Sequence, residues 1–159
     1  MFDKSIIFVL LLMTFGRISA QSGDSVPELT FDVDTADFGI VVDGDSVVYD
    51  FWFTNTGTKS LSIKQAWPAC GCTYPTYTQG EIAPGERGKI HVVFSSKNFG
   101  NDTFLNGHNM VKEVIVINNG AERYARFKVI VLTQKQFDTI REKLLKKEAA
   151  KKKSKKRKS

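Results

Sequence analysis

Through the middle of the chain, apolar and polar residues alternate with a period of two. In "SVVYDFWFTN" (46–55) Val47, Tyr49, Phe51 and Phe53 share one face, and in "SLSIKQAW" (60–67) Leu61 and Ile63 do the same. "GKIHVVFS" (88–95) groups Ile90, Val92 and Phe94, while "VKEVIVINN" (111–119) and "RYARFKVIVLT" (123–133) are long, β-branched and aromatic. Such alternation marks strands with one buried face. Turn residues punctuate these runs at Asn55-Thr56-Gly57, Pro84-Gly85 and Asn119-Gly120. Short strands without intervening helices predict an all-β fold, an antiparallel β-sandwich of about seven strands. The run "VIVI" (114–117) is apolar on both faces. Only one face can be sandwich interior, so the other requires a cover, from a helix or a partner.

The period changes after the last strand. Thr133 and Gln136 have capping-box spacing, Phe137, Ile140 and Leu144 recur at helical spacing, and Glu142 can pair with Lys146 one turn later. An amphipathic helix over 134–149 is predicted. Its stripe has two readings: it packs on the sandwich, or it is presented to a membrane or partner together with a basic tail.

The ends of the chain differ from the body. "MFDKSIIFVLLLMTFGRISA" has a basic start at Lys4, an apolar run from Ile6 to Phe15 and a small-residue site at Ser19-Ala20. That is the layout of a secretory signal peptide over 1–20, cleaved after Ala20. The apolar run is shorter than the roughly 20 residues a bilayer span needs. The expected mature protein is therefore exported, to the periplasm of a Gram-negative envelope, with a flexible N-terminus at 21–27 and the sandwich at 28–133.

Charge is distributed unevenly. The whole chain carries +6, but Lys143 to Ser159 alone carry +9, leaving residues 21–142 at −4. Basicity belongs to the tail; a nucleic-acid binder acting through that tail is the weakest alternative, and because export is predicted no nucleic-acid partner is expected. Residues 150–159 have little to bury and are predicted to be disordered. Lys151, Lys152, Lys153, Lys155, Lys156, Arg157 and Lys158 would form a cationic arm able to contact an anionic membrane surface.

The segments "FDVDTADFG" (31–39), "YDFWFTNTG" (49–57), "CGCTYP" (70–75), "IAPGERGKIHVVF" (82–94) and "VIVINN" (114–119) together resemble the DUF1573 family. This is an exported bacterial Ig-like domain, distantly similar to ASH, MSP and hydin domains. The resemblance implies an Ig-like sandwich without established catalysis. The polar stretch "SSKNFGNDTFLNGHN" (95–109) is longer than the turn that the family pattern implies, and the basic tail lies outside it.

The only two cysteines, Cys70 and Cys72, are separated by Gly71. Two thiolates supply half a tetrahedral zinc site, and His91 and His108 show no spacing that completes it. His108-Asn-Met110 would suit copper, and a periplasmic metal carrier using Cys70 and Cys72, with His108 and Met110 as optional further ligands, is one alternative function. A redox carrier is another, although a catalytic dithiol is normally Cys-x-x-Cys at a helix start, and Thr73-Tyr74-Pro75 do not begin a helix. A Cys70–Cys72 disulfide is the expectation for an exported pair, with two reduced, packed cysteines as the alternative. Such a bridge would rigidify the loop after the third strand, beside Trp67 and Tyr74 and against the Pro84-Gly85 turn.

Four Asp-Ser/Thr-apolar triplets begin at Asp24, Asp34, Asp45 and Asp138. They resemble the acceptor of a general periplasmic O-glycosylation system, which makes Ser25, Thr35, Ser46 and Thr139 candidate sites. Turn and cap chemistry gives the same residue pairs without modification. Asn101-Asp-Thr103 fits the N-glycosylation pattern.

No Ser-His-Asp set, paired carboxylates or phosphate-cradling glycine loop is visible. The sequence therefore predicts a non-enzymatic exported binding or scaffold module with no cofactor. Its expected partners are envelope proteins, within a multi-subunit complex.

Overall fold

The computed structural model describes residues 25–97, 99 and 107–156, excluding the side chains of Lys155 and Lys156. The expected signal peptide, Asn101, Arg157 and Lys158 lie outside the described residues.

Among the described residues there are nine strands and one helix. The strands are β1 (Leu29–Phe31), β2 (Thr35–Val42), β3 (Ser46–Asn55), β4 (Leu61–Pro68), β5 (Thr73–Tyr77), β6 (Glu81–Ile82), β7 (Arg87–Ser95), β8 (Asn109–Asn118) and β9 (Arg123–Leu132), and the helix is α1 (Gln134–Lys156). They form two sheets packed as a sandwich, ordered β1-β3-β7-β5 and β2-β9-β8-β4-β6. The Ig-like sandwich expected from the sequence is thus the fold. Seven strands have five or more residues; β1 and β6 are short additions at sheet edges.

The inward faces follow from the alternation. Phe51, Phe53, Ile90, Val92 and Phe94 of one sheet meet Leu61, Val114, Val116, Phe127, Val129 and Val131 of the other, all fully buried. Aromatic rings link the layers: Phe94 meets Phe127 edge-on at 5.4 Å, and Phe38 lies 5.7 Å from Tyr49. Such pairs add about 0.5–1.5 kcal/mol each beyond area burial.

One buried polar residue closes an end of the sandwich. The Asn55 amide donates to the carbonyls of Lys59 (2.8 Å) and Ile82 (2.9 Å), and its oxygen accepts from the N–H groups of Gly57 (3.1 Å) and Glu28 (3.3 Å). At the same end Ala83-Pro84-Gly85-Glu86 form a type II turn, in which Glu86 N–H donates to the Ala83 carbonyl at 3.0 Å and Gly85 takes a φ of 80°.

Two features depart from the sequence reading. β2 pairs in parallel with β9, so the sandwich is not wholly antiparallel. After β1 the chain crosses to the other sheet through residues 32–34 and pairs there with β9. β2 also carries a bulge between Asp37 and Ile40, with Gly39 at a φ of 63°. The second departure is the helix, which runs through Lys156 rather than stopping at 149, so residues 150–156 are helical and not disordered. Ala and Lys are good helix formers, and no Gly or Pro interrupts 134–156. Like-charge pairs cost only about 0.2–0.5 kcal/mol each, too little to end it.

The start of α1 follows the capping box. Gln136 N–H donates to Thr133 Oγ1 (3.3 Å), and Thr133 N–H donates to Gln136 Oε1 (2.9 Å). Glu142 and Lys146 pair at 3.8 Å, both largely exposed. No described helix is long and apolar enough to cross a membrane.

Candidate functional site

The loop between β4 and β5 carries the chain from one sheet to the other, and it holds the cysteine pair. Cys70 and Cys72 are joined by a disulfide, with their α-carbons 5.2 Å apart. Backbone hydrogen bonds hold the loop on both sides: Ala69 N–H donates to the Glu113 carbonyl at 3.0 Å, and Ser95 N–H donates to the Cys72 carbonyl at 2.9 Å. Both cysteines are half-buried and Gly71 is exposed. The buried Thr73 hydroxyl lies 3.5 Å from Cys70 Sγ and 3.7 Å from Cys72 Sγ.

The loop does not lie against the Pro84-Gly85 turn. Thr73 pairs with Phe94 near the end of β7, whereas Gly85 N–H bonds the Asn55 carbonyl beyond the other end of that strand. At about 3.4 Å per residue the two loops are separated by most of β7. Trp67 and Tyr74 flank the bridge in sequence, but each sits on a different sheet.

The copper-carrier reading rests on Cys70 and Cys72, with His108 and Met110 as optional further ligands. Met110 is a core residue paired with Val129, while His108 is exposed. Three strand residues, Val111 to Glu113, lie between Met110 and Val114, which pairs with Pro68 at the end of β4.

The outer face of the five-stranded sheet carries an aromatic row absent from the sequence reading. Register aligns Trp67 with Ile115 and Ile115 with Tyr124, across β4, β8 and β9. Trp67 is 52% exposed and Tyr124 36%, with Ile115 and Ile117 half-buried between and beside them. The Arg126 guanidinium lies 4.9 Å from the Tyr124 ring. The Tyr124 hydroxyl donates to Glu122 at 2.6 Å, and this bond, with the Glu122 charge, holds its pKa above the usual phenol value. The visible signal was "VIVI" with both faces apolar; the partners of its outer face depend on register.

The outer face of the four-stranded sheet is more polar. Asp50 accepts a hydrogen bond from Lys89 Nζ at 2.8 Å and lies 2.6 Å from His91 Nδ1. These bonds to Lys89 and His91 hold its carboxyl below the usual carboxylate range. Trp52 lies under both Arg87 and Lys89, and Arg87 also pairs with Asp32. Nothing local in the sequence announces this cluster, because Asp50 and His91 meet only through the β3–β7 register.

The stripe on α1 is mostly left open. Phe137 is half-buried, Ile140 is exposed and Leu144 is 57% exposed; with Leu145 and Ile40 of β2 they line a shallow groove of about 270 Å³. The helix faces the sandwich at Ile40 and Leu132, which line grooves with it. The helix does not cover the aromatic row: Ile130, the partner of Ile40, is six residues from Tyr124 on β9, roughly 20 Å. Lys151, Lys152 and Lys153 are exposed on the last turns. Ser25, Thr35, Ser46 and Thr139 are all exposed as well.

Residues 29–131 match the family described as "Protein of unknown function (DUF1573)". No curated protein matches the chain. Among solved structures, a protein of unknown function from Porphyromonas gingivalis W83 superposes with a TM-score of 0.54 at 17% identity, over 66% of this chain and 46% of that one. This chain therefore spans less than half of that protein. The ASH/PapD-like domain 7 of human CEP192 gives a TM-score of 0.45 at 9% identity, covering 74% of this chain and 93% of that one. WR4, a C. elegans MSP family member, gives 0.43 at 9% identity, covering 67% and 98%. At these identities likeness concerns the fold alone.

Proposed function

Since the chain belongs to the DUF1573 family, whose function is unassigned, we propose that it is a non-enzymatic, exported Ig-like binding module serving as subunit or accessory of a cell-envelope protein complex. One observation carries this reading. The row Trp67–Ile115–Tyr124 is a contiguous apolar and aromatic strip on the solvent side of a rigid sheet, with Arg126 at its edge. Aromatic residues and Arg dominate binding energy at protein interfaces, and an exposed strip rimmed by polar groups is how a docking face looks before its partner arrives. At its edge the Tyr124 hydroxyl bonds Glu122 and Arg126 pairs with Glu113.

Photo-crosslinking in the native host tests the proposal. A crosslinking residue at Trp67 or Tyr124 should give discrete adducts with envelope proteins, and one at Trp52 on the opposite sheet should not. Equal labelling from both faces, or none from either, would remove the docking reading.

Two further properties belong to the same proposal. The basic helix would hold the module at anionic lipid or lipopolysaccharide phosphates. Ser25, Thr35, Ser46 and Thr139, exposed in Asp-Ser/Thr-apolar triplets, would carry O-glycans. Mature protein from its own cells should then be heavier than the same chain from a host lacking the glycosylation system, and identical intact masses would refute the modification.

A further inference from the structure

We propose that the Cys70–Cys72 bridge is a thiol–disulfide exchange site that takes electrons from a partner dithiol, and not a staple of the fold. The inference is independent of the docking face on the five-stranded sheet.

Stability is the first consideration. A disulfide stabilises chiefly by closing a long loop in the unfolded chain, and this one spans a separation of two residues. What it would hold is already held. Ala69 is tied to Glu113, Cys72 to Ser95, and Thr73 to Tyr77 pair with β7 from Phe94 to Ile90. None of these bonds uses sulfur. Opening the bridge therefore leaves β4 and β5 anchored, and closing it again requires only the three-residue turn to return.

Access and chemistry point the same way. Gly71 is exposed, and apart from Cys70 and Cys72 themselves nothing lies within 4 Å of the position a Cβ would occupy, so no other residue covers the turn there. Cys72 packs against the core, which leaves Cys70 Sγ as the sulfur open to attack and Cys72 Sγ as the leaving group. The Thr73 hydroxyl is within reach of both sulfurs and can donate to whichever becomes the thiolate. Stabilising the leaving thiolate speeds exchange.

The reaction balances without another reagent. A partner thiolate attacks Cys70 Sγ; the S–S bond breaks, and its electron pair leaves on Cys72 Sγ, which takes a proton from water. The partner's second thiolate then attacks its own sulfur in the mixed disulfide and releases Cys70 as a thiolate, which is protonated in turn. The partner dithiol has become a disulfide, and Cys70 and Cys72 have gained two electrons and two protons. The substrate class is a polypeptide or small-molecule dithiol, and a partner disulfide reverses the step.

Equilibration of the mature protein with glutathione redox buffers, folded and in denaturant, tests this directly. Because bridge and fold are almost uncoupled, the two equilibrium constants should agree within about tenfold, or ~1.4 kcal/mol. Reduction should leave the circular dichroism spectrum native. A folded-state bridge about hundredfold or more harder to reduce than the unfolded one, or reduction that unfolds the protein, would establish a staple and overturn the proposal. The kinetic arm uses dithiothreitol. Thr73→Val should slow reduction several-fold with an unchanged melting temperature, and Thr73→Ser should restore it; an unchanged rate in Thr73→Val would remove the hydroxyl from the mechanism. With Cys72→Ser, the remaining Cys70 should form a mixed disulfide with oxidised glutathione faster than Cys72 does in Cys70→Ser. The reverse order would contradict the assigned leaving group.

Discussion

Gly88 sits in the middle of a bulky sheet, and Phe53 is the reason. The two are cross-strand partners, and a Cβ at Gly88 would stand 2.5 Å from a carbon of the fully buried Phe53 ring. Gly88→Ala should therefore lower unfolding free energy by about 1–3 kcal/mol, the usual cost of overpacking, read from the denaturant midpoint. An unchanged midpoint would mean that the ring moves freely. Asp50 gives a pH-dependent counterpart. Its carboxyl is held low by Lys89 and His91, so the folded state binds this proton less readily than the unfolded chain does. That contribution is present above the unfolded pKa of about 3.9 and is lost as pH falls through the lower folded value. Asp50→Asn should be less stable than wild type at neutral pH, and the difference should narrow in acid. A gap that stays constant with pH would disprove the assignment.

At the scale of elements, α1 behaves as an appendage. Its capping box closes locally, while most of its stripe stays exposed beside Ile40 and Leu132. Thr133→Ala removes the capping hydroxyl and should cost about 1 kcal/mol of helix stability. Helical signal in far-ultraviolet circular dichroism should fall while the unfolding midpoint of the sandwich stays in place. A joint loss of both would mean that helix and sandwich fold as one unit. The strands differ in how openly the sequence announces them. β3 alternates without interruption, but β2 changes parity at its bulge, where the inward set passes from Ala36 and Phe38 to Val41. β5 contains Pro75, which is tolerated because β5 is the edge of its sheet.

Across the whole molecule, charge is segregated: an acidic sandwich carries a basic helical arm. Each basic residue near an anionic lipid surface contributes about 1 kcal/mol, decaying within a Debye length. Deleting 150–159 removes seven positive charges and no core residue. The truncated protein should unfold at the wild-type midpoint yet lose co-sedimentation with anionic vesicles, and wild-type binding should fade as salt rises. Binding that survives truncation, or that ignores salt, would show that the arm is not the anchor.

The sequence by itself determined what neighbouring residues determine. Side-chain period placed five strands, Thr133 and Gln136 placed the helix start, and Cys-Gly-Cys brought two sulfurs within bridging range, because each depends on dihedrals of a few consecutive residues. Composition misplaces the end of the helix, because a charged surface reads as disorder although Ala and Lys favour helix. Only the tertiary structure decided the parallel β2–β9 pairing, the end of the sandwich to which the cysteine loop belongs, the burial of Met110 and the row from Trp67 to Tyr124. These are matters of register between residues distant in the chain, and alternation is the same whichever way a strand runs and whichever strand lies beside it.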